Sequence, residues 1–173
     1  MKYESVLAEP LSRVAIRQIV TRIRSLVGLT DDPYFPIVNF IEHVMPDIYE
    51  GFSMEIVPVH EMPKSYAEAL PQLNIMRIRE DVYNNAVNDI GRDRFTLAHE
   101  VGHFILHNSD RVALARVESG QDIPAYIKPE WQANTFAGEL LVPVQFASSM
   151  SAECLSDVCS VSFQVSEIQK RYV

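Results

Sequence analysis

The string HEVGH at residues 99–103 carries the clearest chemistry in this sequence. Residues four apart on an α-helix lie one turn apart on the same face, so His99 and His103 can bind one metal ion between them. Glu100 adjoins the first histidine, where its carboxylate can take a proton from a water molecule that the ion activates. Such a pattern is expected by chance only roughly 0.01 times in a chain of this composition. The string therefore predicts a site for one Zn²⁺, with Glu100 as general base.

A catalytic zinc ion needs a third protein ligand and one open coordination position. Because no histidine follows His107, the candidates downstream are Glu118, Glu130 and Glu139. Glu118 lies near a glycine-containing turn, where a ligand would be poorly held. Glu130 opens a predicted helix with Asn134 one turn further on, and Glu139 lies half a turn round from it. We favour Glu130, with Glu139 next.

Other polar side chains are candidates for supporting roles around the metal. His107 lies about 12 Å along the helix from the first histidine, too far to join both ligands at one ion. It is expected either to contact a ligand or the substrate, or to be a helix C-terminal histidine stabilised by the dipole. Asn134 is a hydrogen-bonding neighbour of the third ligand. Tyr126, Arg94 and His107 are all candidate oxyanion donors, and the sequence does not choose among them.

Two predicted helices must position these residues. Apolar periodicity predicts a helix over residues 94–107, with Asp93 as its N-cap. A second helix is predicted from Pro129, a residue favoured in a first turn, to Leu141, before Pro143. Between these helices, a loop or short strand is predicted over residues 111–117.

A small sheet is predicted before the metal-binding helix. Residues 52–59 alternate between apolar and polar types, which is typical of a half-buried strand. Residues 73–79 show a second alternation, in which Arg77 and Arg79 indicate an edge strand protected by charge. The prediction is an α+β fold, with a small mixed or antiparallel sheet packed against the HEVGH helix and flanking helices at both termini.

The flanking helices suggest the domain organisation. Helices are predicted over residues 10–27, 36–45, 81–88 and 161–172. In the first of them Arg13, Arg17 and Arg24 share one side, which predicts a solvated face or, less expectedly, a contact with an acidic partner. We expect residues 1–34 to form an N-terminal helical segment and residues 35–173 to form the metal-binding domain.

Charge and hydropathy exclude several classes of protein. The net charge of −8 disfavours direct binding to nucleic acid, whose phosphates an acidic surface repels. No apolar run approaches the ~18 residues of a membrane span, and the first residues do not resemble a secretory signal. Cys154 and Cys159 are too few for a disulfide scaffold and are expected to be buried free thiols. These features predict a cytoplasmic protein.

The segments RFTLAHEVGHFILH and EWQANTFAGELLVP together resemble the ImmA/IrrE family of bacterial and phage metallopeptidases. The similarity extends from about Phe35 to the C-terminus, including FQVSEIQKR. The resemblance implies a gluzincin-like site with His99, His103 and Glu130 as ligands and Glu100 as general base. It further implies a helix-turn-helix repressor or antitoxin as substrate, here a separate protein, because the chain has no room for such a domain before the resemblance begins.

Two functions of different classes follow from these patterns. The first is a zinc metalloendopeptidase that cleaves a specific repressor or antitoxin. The alternative is a non-proteolytic zinc-containing module that sequesters a regulator or acts as the toxin of a toxin–antitoxin pair. Zinc is the expected metal, although manganese or iron suits the same ligands under other conditions.

Overall fold

The computed structural model describes residues 7–107, 112–113 (backbone only) and 123–173 of the 173-residue chain. Its α+β architecture agrees with the prediction. The α-helices are α1 Arg13–Leu26, α2 Ile37–Asn39, α3 Met45–Ile48, α4 Glu80–Val87, α5 Gly91–Leu106, α6 Pro129–Leu141, α7 Val144–Ser149, α8 Ala152–Cys159 and α9 Phe163–Lys170, and a π-helix, Phe40–Val44, joins α2 to α3. The strands are β1 Leu7–Ala8, β2 Ser53–Val57, β3 Ala67–Leu70, β4 Ile75–Arg79 and β5 Val112–Ala113.

The main sheet has the order β2-β4-β3, so β4 is its central strand. It runs parallel to β2 and antiparallel to β3. The prediction that residues 73–79 form an edge strand was therefore wrong. Arg77 is accommodated in the centre because Glu55 and Glu68 lie opposite it on the two neighbouring strands. The mixed sheet leaves β3 as the edge strand that packs against α5.

Two helices begin away from their predicted starts, and a side-chain cap explains the start of the first. The hydroxyl of Ser12 accepts a hydrogen bond from the N–H of Ala15, so α1 begins at Arg13 rather than at Pro10. Asp93, predicted as an N-cap, instead lies inside α5, where its buried carboxylate binds Arg92. The N-cap of α5 is Ile90, which has no capping side chain.

The N-terminal helix α1 packs against α6 and shares the main apolar core through Ile16 and Val20. Its arginines are not a solvated face. Arg13 and Arg17 bind Glu139 of α6, and buried Arg24 donates to the carbonyl of Leu140. The predicted division into an N-terminal segment, residues 1–34, and a metal-binding domain, residues 35–173, stays a prediction.

The sequence prediction contained no helices between residues 144 and 159, where α7 and α8 form. Their packing with α9 builds the C-terminal part of the fold. Cys159 is buried as expected, but Cys154 is exposed, and both thiols are free. Within the described residues, no helix has both the length and the apolar character needed to cross a bilayer. The predicted element at residues 111–117 lies outside the described residues, apart from β5.

Candidate metal centre

The structure brings His99 and His103 together on α5. Their side chains lie one turn apart, and the two Nε2 atoms are 3.0 Å from each other. Both side chains are about four-fifths buried, with 17% and 19% of their surface exposed. Two ring nitrogens at this separation need a proton or a cation between them, because two lone pairs repel each other.

Glu130 completes the group from the first turn of α6. Its carboxylate oxygens lie 3.4 Å from Nε2 of His99 and 3.3 Å from Nε2 of His103. The two helices approach closely because Gly102 has no side chain at their contact. A Cβ atom at that position would lie only 3.2 Å from Cα of Ala133. Gly102 thus lets α6 bring Glu130 to the histidines.

The three side chains fit a divalent ion by both chemistry and distance. One donor atom from each of His99, His103 and Glu130 lies within 4.8 Å of the others. Zinc bonds of ~2.0–2.2 Å at tetrahedral angles would separate neighbouring donors by about 3.3 Å. The observed separations of 3.0, 3.3 and 3.4 Å are close to that value. Two imidazoles and a carboxylate are also ligands that zinc accepts.

Of the two alternative third ligands, Glu139 is described and is not in this group. Glu139 lies two and a half turns along α6 from Glu130, and its carboxylate is buried against Arg13 and Arg17. Glu118 lies outside the described residues. Among the described residues, Glu130 is therefore the carboxylate that joins the histidines.

Glu100 is held beside the histidines by the edge strand. Its Oε2 atom accepts a hydrogen bond from the backbone N–H of Ala69 at 2.8 Å. Burial raises the pKa of Glu100 above its ordinary value, while the positive potential of His99 and the hydrogen bond from Ala69 oppose that rise. A carboxylate with a raised pKa is a stronger base than one free in water.

These residues open onto a cleft of about 610 Å³ between β3 and the two helices. The β3 side of the cleft is lined by Ala67, Glu68 and Ala69, with Pro71 and Gln72 just after the strand. The lining residues are Ala67, Glu68, Ala69, Pro71, Gln72, His99, Glu100, His103, His107, Pro129 and Glu130.

Each histidine of the pair uses its second nitrogen to contact a neighbouring side chain. Nδ1 of His99 lies 3.0 Å from Oδ1 of Asn134, and Nδ1 of His103 lies 3.0 Å from Nδ1 of His107. Burial lowers the pKa of His107, and burial with two neighbouring rings lowers the pKa of His103 to about 3. Both shifts favour the neutral form of the ring.

Gln132 is a residue of this site that the sequence analysis missed. Its Oε1 atom lies 2.8 Å from Nε2 of His107, and its side chain is fully buried. The sequence could have indicated Gln132, because it is a polar residue two positions after Glu130, on the buried side of a predicted helix. A residue of this kind is expected to have a specific partner.

Two of the predicted oxyanion donors lie elsewhere. Arg94 is buried away from the cleft and donates to the carbonyls of Phe35 and Ser160. Tyr126 is half exposed, and its backbone carbonyl accepts hydrogen bonds from Leu11 and Gln132. Neither residue lines the described cleft, whereas His107 does.

Comparison with known proteins agrees with this geometry. Residues 51–172 match the family model Peptidase_M78, described as the IrrE N-terminal-like domain. No curated protein matches the chain significantly. A solved structure of a Mycobacterium tuberculosis transcriptional regulator has a similar fold, with a TM-score of 0.58 and 17% identity. The match covers 87% of this chain but only 44% of that one.

Proposed function

Because the chain belongs to the ImmA/IrrE family through its IrrE N-terminal-like domain, Peptidase_M78, we propose that it is a zinc-dependent metalloendopeptidase. One observation carries the proposal: His99, His103 and Glu130 converge within one cleft, and the carboxylate of Glu100 lies beside them. Three protein ligands leave a position for water or substrate, as in catalytic rather than structural zinc sites.

His99, His103 and Glu130 would hold one Zn²⁺. When bound at such a site, the ion supplies a Lewis acid for the scissile carbonyl and lowers the pKa of water. The chain's own contribution begins with Glu100, which takes a proton from the attacking water. The same carboxyl group then gives that proton to the amine nitrogen that leaves. The hydrogen bond from Ala69 holds one oxygen of Glu100, so the other remains available for this transfer.

The edge strand β3 is the proposed platform for the substrate backbone. Because β3 pairs with β4 on one side only, its other edge can add an extended peptide as a further strand. Residues 73–79, which were predicted as the edge strand, form the central strand and pair on both sides. The N–H of Ala69 already binds Glu100, so the peptide would pair first with the neighbouring free edge groups of Ala67.

The proposed substrate is a separate helix-turn-helix repressor or antitoxin, met in the cytoplasm. Such proteins carry basic surfaces for DNA, which the net charge of −8 would attract. The same charge makes direct binding of this chain to nucleic acid unfavourable. The similar solved structure is named a transcriptional regulator, although that likeness concerns the fold alone.

The test is proteome-wide identification of newly formed protein N-termini. The zinc-loaded chain is incubated with a lysate of its source cell that has been treated to inactivate endogenous proteases. The matched control is Glu100→Gln, which removes the base but keeps the size of the side chain and the three ligands. We expect a small set of new termini with the wild-type chain, and none with Glu100→Gln or after chelation.

Equal cleavage by Glu100→Gln would overturn the mechanism. A helix-turn-helix protein that forms a tight complex with the wild-type chain, without new termini, would instead favour the alternative of a sequestering module.

A further inference from the structure

A chain of buried hydrogen bonds leads from the second histidine of the pair into the protein. It runs from Nδ1 of His103 to Nδ1 of His107, and from Nε2 of His107 to Oε1 of Gln132. Gln132 then reaches the backbone carbonyls of Glu9 and Tyr126, at 2.8 and 2.7 Å. Gln132 and His107 are 0% and 6% exposed, so water does not compete for these bonds.

The positions of the hydrogen atoms in this chain follow from its inner end. A carbonyl oxygen only accepts, so both hydrogens of the Gln132 amide nitrogen are used by Glu9 and Tyr126. This fixes the orientation of the amide and turns its oxygen toward His107. That oxygen also only accepts, so Nε2 of His107 must carry a hydrogen and donate it.

The same reasoning extends outward to the metal site. A neutral histidine ring has one N–H and one lone pair, and burial of these rings favours the neutral form. Since Nε2 of His107 donates, its Nδ1 holds the lone pair. That atom lies 3.0 Å from Nδ1 of His103, which therefore donates. The lone pair of His103 is left on Nε2, the atom that faces His99 and Glu130.

We propose that His107 and Gln132 are positioning residues that fix His103 in its Nδ1–H tautomer, so that the Nε2 lone pair points at the metal position before the ion binds. The inference rests on the proposed function because it assumes that His103 is a metal ligand. It adds residues that act through His103 without touching the ion or the substrate. The tautomer of a ligating histidine is set by the partner of its other nitrogen.

The opposite tautomer would block the site. A hydrogen on Nε2 of His103 would lie between the two histidines, 3.0 Å apart, where the cation must enter. That hydrogen would have to be lost or moved before the ion could bind. By holding the hydrogen of His103 on Nδ1, His107 and Gln132 leave the hydrogen between the two rings to His99, whose contact with Asn134 allows its tautomer to change.

The contact of His99 does not fix its tautomer in the same way. Asn134 is exposed, and no other hydrogen bond of its amide is found among the described residues. Its amide can therefore rotate to accept from His99 or to donate to it. In the metal-free chain His99 can adapt by changing its tautomer, whereas His103 cannot.

The experiment compares His107→Phe with His107→Gln in the full chain. Phenylalanine keeps a ring but removes the acceptor for Nδ1 of His103, whereas glutamine restores an amide oxygen there. His43→Phe is the matched control, since the side chain of His43 is 69% exposed and far from HEVGH in sequence. Long-range ¹H–¹⁵N correlation spectra of the metal-free chain at pH 7 report which ring nitrogen of His103 carries the hydrogen. Competition with a chelator measures the affinity for Zn²⁺.

We expect His103 to be in the Nδ1–H form in the wild-type chain and in His43→Phe. In His107→Phe it should shift to the Nε2–H form or a mixture, and the affinity for Zn²⁺ should fall roughly 10–100-fold. His107→Gln should restore the Nδ1–H form and most of the affinity. A merely structural role would lower the melting temperature in His107→Phe without changing the tautomer.

A wild-type chain with the Nε2–H form of His103, or a His107→Phe variant with an unchanged tautomer, would overturn the proposal. If His107→Phe does not fold, the same measurements on Gln132→Met decide, because this variant frees His107 to rotate its hydrogen and should give a mixture at His103. None of these measurements needs a peptide substrate. A chain that cleaves nothing would therefore count against the proposed peptidase activity but not against this inference.

Discussion

Glu130 and Glu139 lie on the same helix, but their side chains point to opposite sides of it and meet different partners. Nine residues correspond to about 900° of rotation, so the two carboxylates leave α6 on opposite sides. Glu130 meets two histidines, with most of its side chain exposed to the cleft. Glu139 is buried between α6 and α1, where it meets Arg13 and Arg17 at 2.8 Å. Arg13 and Arg17 stabilise the carboxylate of Glu139. The carboxylate of Glu130 lies beside two histidines and, unlike that of Glu139, is open to an ion from solvent.

Replacing Glu139 by glutamine should destabilise the fold without weakening metal binding. The substitution keeps the shape of the side chain but leaves two partly buried arginines without their counter-charge, at a cost of about 1–3 kcal/mol. Urea unfolding measures this difference, and exposed Glu167→Gln is the control, expected within about 0.5 kcal/mol of wild type. Loss of Zn²⁺ affinity in Glu139→Gln, with no loss of stability, would contradict the assignment of this residue to the α1–α6 contact.

At the scale of elements, α5 and α6 were predictable because their signals are local. Apolar periodicity, Pro129 at a first turn and the four-residue spacing of the histidines placed both helices within three residues of their observed ends. Strand β3 was not predictable in the same way. Its sequence, AEAL, has little strand propensity, and it forms because β4 pairs with it and α5 packs against it. The prediction of 73–79 as an edge strand failed for the same reason, since strand order depends on contacts distant in sequence.

The edge position of β3 leads to a prediction about Ala69→Pro. The N–H of Ala69 points to Glu100 rather than to β4, and proline is tolerated at edge positions whose N–H is not used by the ladder. We expect the melting temperature to change little. The rate of peptide cleavage should fall roughly tenfold or more, because a hydrogen bond to a charged group contributes about 1.5–3 kcal/mol.

Glu68→Pro is the matched control for that substitution. Hydrogen bonding alternates along an antiparallel strand, so the N–H of Glu68 points to β4 and its loss should destabilise the sheet. Cleavage is measured on the peptides whose new termini the wild-type chain produces. An Ala69→Pro variant that cleaves them at the wild-type rate would show that the strand does not position Glu100.

For the whole molecule, the site joins parts of the chain that are distant in sequence. His103 reaches Gln132 through His107, and Gln132 reaches the segment around Glu9, which precedes α1. The sequence indicated the three proposed ligands because they repeat at helical spacing or match a family pattern. It could not predict Gln132 or the contact with Glu9, because nothing local links residues 9, 107 and 132. The histidine pair was therefore accessible from the sequence, and the residues that support it were not.

Because the proposed ligands come from two helices, Zn²⁺ should stabilise the whole fold. An ion that binds the folded chain alone stabilises it by about 2.7 kcal/mol at a free concentration 100 times the dissociation constant. For a chain of this length that free energy corresponds to a rise in melting temperature of roughly 5–10 °C. Calorimetry of the metal-free and zinc-loaded chain measures the rise.

Two variants within the same cleft separate ligand from base in that measurement. Glu130→Gln weakens a proposed ligand that links α6 to the histidines of α5, so the zinc-dependent rise should largely disappear. Glu100→Gln makes the same chemical change beside the proposed ion. Because the carboxylate of Glu100 binds the N–H of Ala69 and is not a proposed ligand, the zinc-dependent rise should persist while cleavage is lost. If Glu100→Gln abolished the rise as fully as Glu130→Gln, Glu100 would be binding the ion, and its carboxylate could not serve as the base.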